Sequence, residues 1–147
     1  MNGLLIEDDP EKAKEILAFI SEKFTNCEMS YKLSYQSGLK EIFSKRFDFI
    51  LLDMSLPSYD QGNGNFSGKP RNFGGRDILK EMKRYKKYSI VKIITQYNEF
   101  DDGLLSLKSL DAQLKLKYSE LYQGYIYYKS NQTEWEKELY NFIENLK

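Results

Sequence analysis

Short apolar runs alternate with segments of helical period from one end of the chain to the other. The runs lie at residues 4–6, 29–33, 48–53, 90–95 and 125–128, and each is short enough to be a strand. Between them, apolar residues recur three and four positions apart. Ile16, Leu17, Ile20 and Phe24 follow Pro10, which suits a first helical turn because its missing N–H has no partner there anyway. Leu39, Ile42 and Phe43 mark a second helix over 37–45, and Ile78, Leu79 and Met82 a third beginning near Gly75 or Arg76. Leu107, Leu110 and Leu114 place a fourth within 103–117, and Trp135, Leu139, Phe142, Ile143 and Leu146 form a strong stripe over 133–146. Phe49-Ile50-Leu51-Leu52 has no polar alternation, as expected of a parallel strand covered on both faces. The alternation predicts an α/β fold: a doubly wound, five-stranded parallel sheet with helices on both sides.

The residues that close these runs are polar in a consistent way. Glu7-Asp8-Asp9 follows the first run, Asp53 ends the third, Thr95 ends the fourth and Lys129 follows the fifth. In an open α/β sheet the carboxyl ends of the strands form the edge where ligands bind. Acids gathered at one edge repel each other unless a cation offsets them. A cation, an ammonium and a hydroxyl around one carboxylate are the equipment for handling a phosphoryl group, whose transfer depends on positioning and charge stabilisation.

Composition narrows the chemistry. The 147 residues are one domain's worth, with no internal repeat, and 41% hydrophobic residues suffice for a core. Lys plus Arg equals Asp plus Glu at 22 each, so nothing suggests a nucleic-acid footprint. The chain has no histidine and one cysteine, Cys27, which removes histidine-dependent hydrolase mechanisms, CxxC zinc sites and any internal disulfide. Oxygen-only ligands favour magnesium. No apolar run approaches a membrane span and the N-terminus has no signal-peptide pattern, so a soluble, cytoplasmic protein is expected. The one irregular stretch, 58–73, is rich in Gly, Asn and Ser and leaves the third strand beside Asp53. It predicts a loop insertion, either a lid or docking loop whose Lys69 and Arg71 could meet phosphate, or a surface insertion.

With an acidic pair after the first strand, an aspartate after the third, a threonine after the fourth and a lysine after the fifth, the chain resembles the response-regulator receiver domains of two-component signalling. The likeness spans nearly the whole sequence, most clearly residues 4–57 and 74–96. It implies the flavodoxin-like strand order 2-1-3-4-5, Asp53 as phosphoacceptor, Thr95 and Lys129 as phosphoryl-contacting groups, and a bound magnesium ion. It further implies a histidine kinase or phosphotransfer protein as donor, an output protein as partner, and a face from helix four to helix five that signals or pairs two copies. Such a domain accepts a phosphoryl group and is not itself an enzyme in the ordinary sense.

The metal ligands are open to two registers. The run ending at Ile6 makes Glu7 and Asp8 the pair after the strand, whereas counting back from Ile16 and Leu17 favours Asp8 and Asp9. Asp8, common to both, is the expected direct ligand, with Glu7 acting through water and Asp9 in reserve. The resemblance adds the Ser55 backbone carbonyl. Three departures stand against the family pattern: Ser130 where a proline commonly follows the lysine, the large Gln96 after Thr95, and long stretches after Asp53 and Thr95. Gln96 and Ser130 support an alternative, a pseudo-receiver that binds proteins without being phosphorylated. An aspartate-nucleophile phosphatase would need an acid at Ser55, and no phosphate-binding glycine motif follows any strand.

Overall fold

The computed structural model describes residues 1–60, 70–100 and 103–147. Its central sheet has strands β1 (Asn2–Ile6), β2 (Glu28–Lys32), β3 (Phe49–Leu52), β4 (Ile90–Thr95) and β5 (Tyr122–Tyr127). They are parallel throughout and run in the order β2-β1-β3-β4-β5, as expected. The helices are α1 (Pro10–Lys23), α2 (Tyr35–Ser44), α3 (Gly74–Arg84), α4 (Leu107–Lys117) and α5 (Glu134–Glu144).

Every residue of β3 is buried, because helices cover both faces of the sheet. On one face Leu5, Leu51, Ile94 and Ile126 pack with Ile16 and Ile20 of α1 and Leu139 and Ile143 of α5. On the other, Leu4, Ile6, Ile50, Leu52 and Ile93 pack with Ile42 of α2, Leu79 of α3 and Leu110 of α4. Burial of these side chains supplies most of the driving force, at roughly 25 cal/mol per Å² of apolar surface.

Local signals set the helix starts. Asp9 caps α1, its side chain accepting from the backbone N–H groups of Glu11 and Lys12, with Pro10 in the first turn. Ser34 and Ser37 form a reciprocal capping box that starts α2 at Tyr35, two residues earlier than its apolar spacing suggested. Strand β5 begins at Tyr122 rather than 125. Its register against β4 slips between Val91 and Ile93, and Gly124 takes a positive φ of 95° there, so the glycine sits at a bulge within the strand.

After β3, Leu56–Pro57 pairs antiparallel with Pro70–Arg71. Residues 61–69, and with them the lid reading and Lys69, lie outside the described residues. Arg71 is committed elsewhere than to a phosphate: its guanidinium lies 4.0 Å from the Tyr35 ring centre, donates to the Ser58 hydroxyl and pairs with Asp77 at 3.3 Å. A second short antiparallel ladder, Glu99–Phe100 with Leu105–Ser106, precedes α4.

Helix α3 seats itself on the end of β3 through Gly75. The Gly75 N–H donates to the Met54 carbonyl, and a Cβ at Gly75 would lie 2.6 Å from the Asp53 carbonyl oxygen. That atom is backbone and cannot swing aside. Gly75→Ala is therefore expected to destabilise the fold by about 1–3 kcal/mol, read as a lowered denaturation midpoint with an unchanged slope in urea unfolding.

Candidate functional site

Register brings the site together. Ile6 lies opposite Leu52 and Leu52 opposite Ile93, and the Asp53 N–H donates to the Ile6 carbonyl at 3.1 Å. Glu7 and Asp53 thus emerge side by side from the two central strands. One carboxylate oxygen from each of Glu7, Asp8 and Asp53 lies within 4.8 Å of the others. Glu7 is fully buried and Asp53 is 3% exposed, while Asp8 stands at the solvent side. The Asp53 carboxylate is oriented by the Met54 N–H at 2.8 Å.

The cation that reaches these acids is Lys12, which the sequence reading passed over. Its side chain is 1% exposed. The ammonium pairs with Glu7 Oε1, lies 3.5 Å from Asp53 Oδ1 and donates to the Ile94 carbonyl at 2.9 Å. It therefore ties the ends of β1, β3 and β4 from a position on α1. One signal in the sequence pointed to it: Lys12, Ile16 and Ile20 are spaced four apart, so the lysine lies on the apolar stripe of α1.

The remaining expected groups fall in different places. Thr95 is fully buried at the end of β4, and its Oγ1 accepts from the Tyr97 N–H at 3.2 Å. Gln96 donates to the Tyr97 hydroxyl. Ser55 is half-buried between β3 and the short ladder. Asp9 is engaged as the α1 cap and is not one of the clustered acids. Lys129 is exposed, with its ammonium 5.8 Å from the centre of the Tyr127 ring. The preceding residue, Tyr128, is the one that turns inward. Its ring lies 5.7 Å from the Lys12 ammonium, and its hydroxyl bonds the Glu15 carboxylate.

Lys12 pairs with Glu7 and lies near Asp53, with no such pair to Asp8, and burial foremost shows in the protonation of all three carboxyls. Burial pushes the Glu7 carboxyl up to about 7, with the Asp53 charge adding to it and Lys12 opposing. Burial and then the charge of Glu7 push Asp8 up to about 6. Burial also raises Asp53, against the pull of Lys12. All three donors are hard oxygen ligands, and a divalent cation would offset the two negative charges that Lys12 leaves uncompensated. The residues fit a magnesium ion on those grounds.

The fold is that of the response-regulator receiver domains. A CheY-like receiver from Methanospirillum hungatei superposes with a TM-score of 0.66 at 18% identity, covering 99% of this chain and 92% of its own. The response regulatory domain of mrkE from Klebsiella pneumoniae does so at 0.65 and 19%, covering 99% and 94%. In sequence the chain is 27% identical to the Detocs response regulatory protein DtcB of Enterobacter cloacae, across 99% of this chain and all of that protein. It is 28% identical to the uncharacterized protein y4jR of Sinorhizobium fredii, across 96% and 95%. No family model matches.

The raised carboxyls carry a sign. Because Glu7 and Asp8 titrate above their usual 4.5 and 3.8, the folded protein holds more protons than the unfolded chain between roughly pH 4 and 7. Their contribution to stability therefore falls as pH rises through that window. In thermal melts, the stabilisation produced by added Mg²⁺ is expected to be larger at pH 8 than at pH 5.5, where protons compete for the same oxygens. Asp53→Asn, which removes one crowded charge, is expected to stabilise the metal-free protein at pH 8 by on the order of 1–3 kcal/mol.

Proposed function

We propose that this chain is a phosphoacceptor receiver of a two-component phosphorelay. The observation that carries the reading is the buried Asp53 carboxylate at the carboxyl end of the central strand, in one cluster with Glu7 and Asp8. Asp53 Oδ1 is bound by the Met54 N–H, which fixes the plane of the carboxylate. In the reaction an Asp53 oxygen forms a bond to phosphorus while the bond from phosphorus to the donor breaks, its electron pair leaving with the donor. A carboxylate nucleophile needs no proton removed, which suits a site without histidine.

Magnesium would be held by Asp8 and Asp53, with the Ser55 carbonyl and, through water, Glu7, and would screen charge on the phosphoryl oxygens. The Thr95 hydroxyl accepts one hydrogen bond and keeps its own proton to donate to a phosphoryl oxygen. Its movement toward that oxygen would shift the end of β4 and reorganise the face formed by α4, β5 and α5. Leu116 on α4 is 87% exposed, and Leu104 just before it 83%. Both give that face apolar contacts for an output protein or a second copy of the chain. The donor would be a histidine kinase or phosphotransfer protein, which places the exchange in the cytoplasm. The balanced charge assigns no nucleic acid to this domain, and among the described residues no helix is long and apolar enough to cross a membrane.

One observation favours a second reading, a pseudo-receiver that acts as an interaction module. Lys12 already pairs with Glu7 and nears Asp53, so the pocket carries an internal counterion. Incubation with acetyl phosphate and Mg²⁺, followed by intact-mass measurement, separates the two. The wild type is expected to gain one phosphoryl group and Asp53→Asn none. A folded wild type that gains nothing, or an Asp53→Asn protein that gains as much, removes the acceptor reading in favour of the second.

A further inference from the structure

We propose that the cleft between the carboxyl ends of α2 and α3 is a docking site for a partner protein's segment that carries both carboxylates and apolar side chains. The cleft holds about 380 Å³, and Phe43, Lys45, Arg46, Lys86, Lys87 and Tyr88 line it. It presents four cations and no acid, on a chain whose charges balance at 22 each. Among the described residues, Lys45 alone of the four is in an ion pair, with Glu41 at 3.3 Å. Exposed rings gather on the same side: Phe43 and Tyr88 in the cleft, Tyr85 edge-on to Phe43 at 5.4 Å, and Tyr59 beyond. Exposed apolar groups and unmatched charge of one sign, found together, are features of a recognition surface.

The turn that delivers two of the cations adds a second observation. The Lys86 N–H donates to the Lys83 carbonyl and the Lys87 N–H to the Met82 carbonyl, which closes α3 with a left-handed residue just past its cap. That residue is Lys86, at a φ of 57°, where glycine is the usual occupant. A side chain kept in this conformation costs stability, and such costs concentrate where a residue has a task. Here it places a lysine in the wall of the cleft.

Shape selects the occupant. Phe43 is shared with a second groove of about 490 Å³, which Leu39 and Tyr59 line together with Lys40 and Asp60. The two follow α2 from Ser34 to Lys45. A small anion would use the cations and leave the second groove empty, and a polynucleotide would meet the Asp60 carboxylate there. A polypeptide with acidic side chains on the Lys45–Lys87 wall and apolar ones over Leu39, Phe43 and Tyr59 fills both, with its charge matched where the surface is charged. The inference uses nothing from the acidic pocket and stands apart from the acceptor reading.

The test is fluorescence anisotropy with two labelled probes, a synthetic peptide alternating Glu with Leu and Phe, and a single-stranded DNA oligonucleotide. They are titrated with wild type, Arg46→Glu, Lys86→Gly and Lys14→Glu. The last makes the same charge change at an exposed position of α1, the helix on the opposite face of the sheet. The peptide is expected to bind wild type saturably, and more weakly as salt is raised. Arg46→Glu is expected to weaken binding by about tenfold or more and Lys14→Glu to leave it unchanged. Lys86→Gly is expected to weaken binding without lowering the midpoint of urea unfolding, since glycine suits the left-handed position. Absence of saturable peptide binding overturns the proposal, as does equal binding by wild type and Arg46→Glu, or an equal loss in Lys14→Glu. Tighter binding of the oligonucleotide than of the peptide overturns it in favour of a nucleic-acid surface. Should Arg46→Glu fail to fold, Lys86→Gly decides: weakened binding supports the site, and unchanged binding overturns it.

Discussion

The structure depends on an arrangement that electrostatics alone would push apart: three carboxylates at the end of two adjacent buried strands, two of them met by the Lys12 ammonium. Removing Glu7 and Asp53 from water is costly unless their charge is met, and Lys12 meets only part of it. Burial first, and the neighbouring carboxylate second, displaces the Glu7 and Asp8 carboxyls toward neutral pH. An edge of this kind is poorly optimised for stability and well suited to capturing a cation. The fold tolerates it because β1 and β3 are locked in register by fully buried side chains on both faces, so the strands cannot separate to relieve the repulsion.

Lys12 is also the crosslink of that edge. Its contacts run to the residue after β1, the residue after β3 and the penultimate carbonyl of β4. Ile94 immediately precedes Thr95, whose carbonyl in turn accepts from the Tyr128 N–H at the end of β5. A change in the pairing of one ammonium therefore has a short physical route to the hydroxyl and to the last strand. Gly75 fixes the other side, where α3 rests on the backbone of Asp53 and Met54 with no room for a side chain.

The sheet was legible because buried parallel strands leave uninterrupted apolar runs and the helices between them keep a clean period, as in Ile16 with Ile20 or Leu139 with Ile143. Asp53 and Glu7 were legible because the polar residue after such a run has one place to go. Asp9 was ambiguous in the sequence, since an acid before Pro10 serves equally as ligand or cap, and the free N–H groups of the first turn engaged it as a cap. Gly124 hid the start of β5 because a bulge glycine and a turn glycine look alike.

Lys12 shows why one contact of the acid cluster was not legible. Strand position identifies Lys129, but a side chain just past a strand end can point to either face, and the residue that turns inward here is Tyr128. The spacing of Lys12 with Ile16 and Ile20 puts it on the α1 stripe, but only three-dimensional register reveals that its place there faces acids, not aliphatic side chains. A lysine has the reach to lay its methylenes along a core and deliver its charge at the far end. The Lys12–Asp53 contact and the Tyr128–Glu15 bond both run through α1, so the acid cluster, that helix and Trp135 of α5 form one contiguous set of contacts.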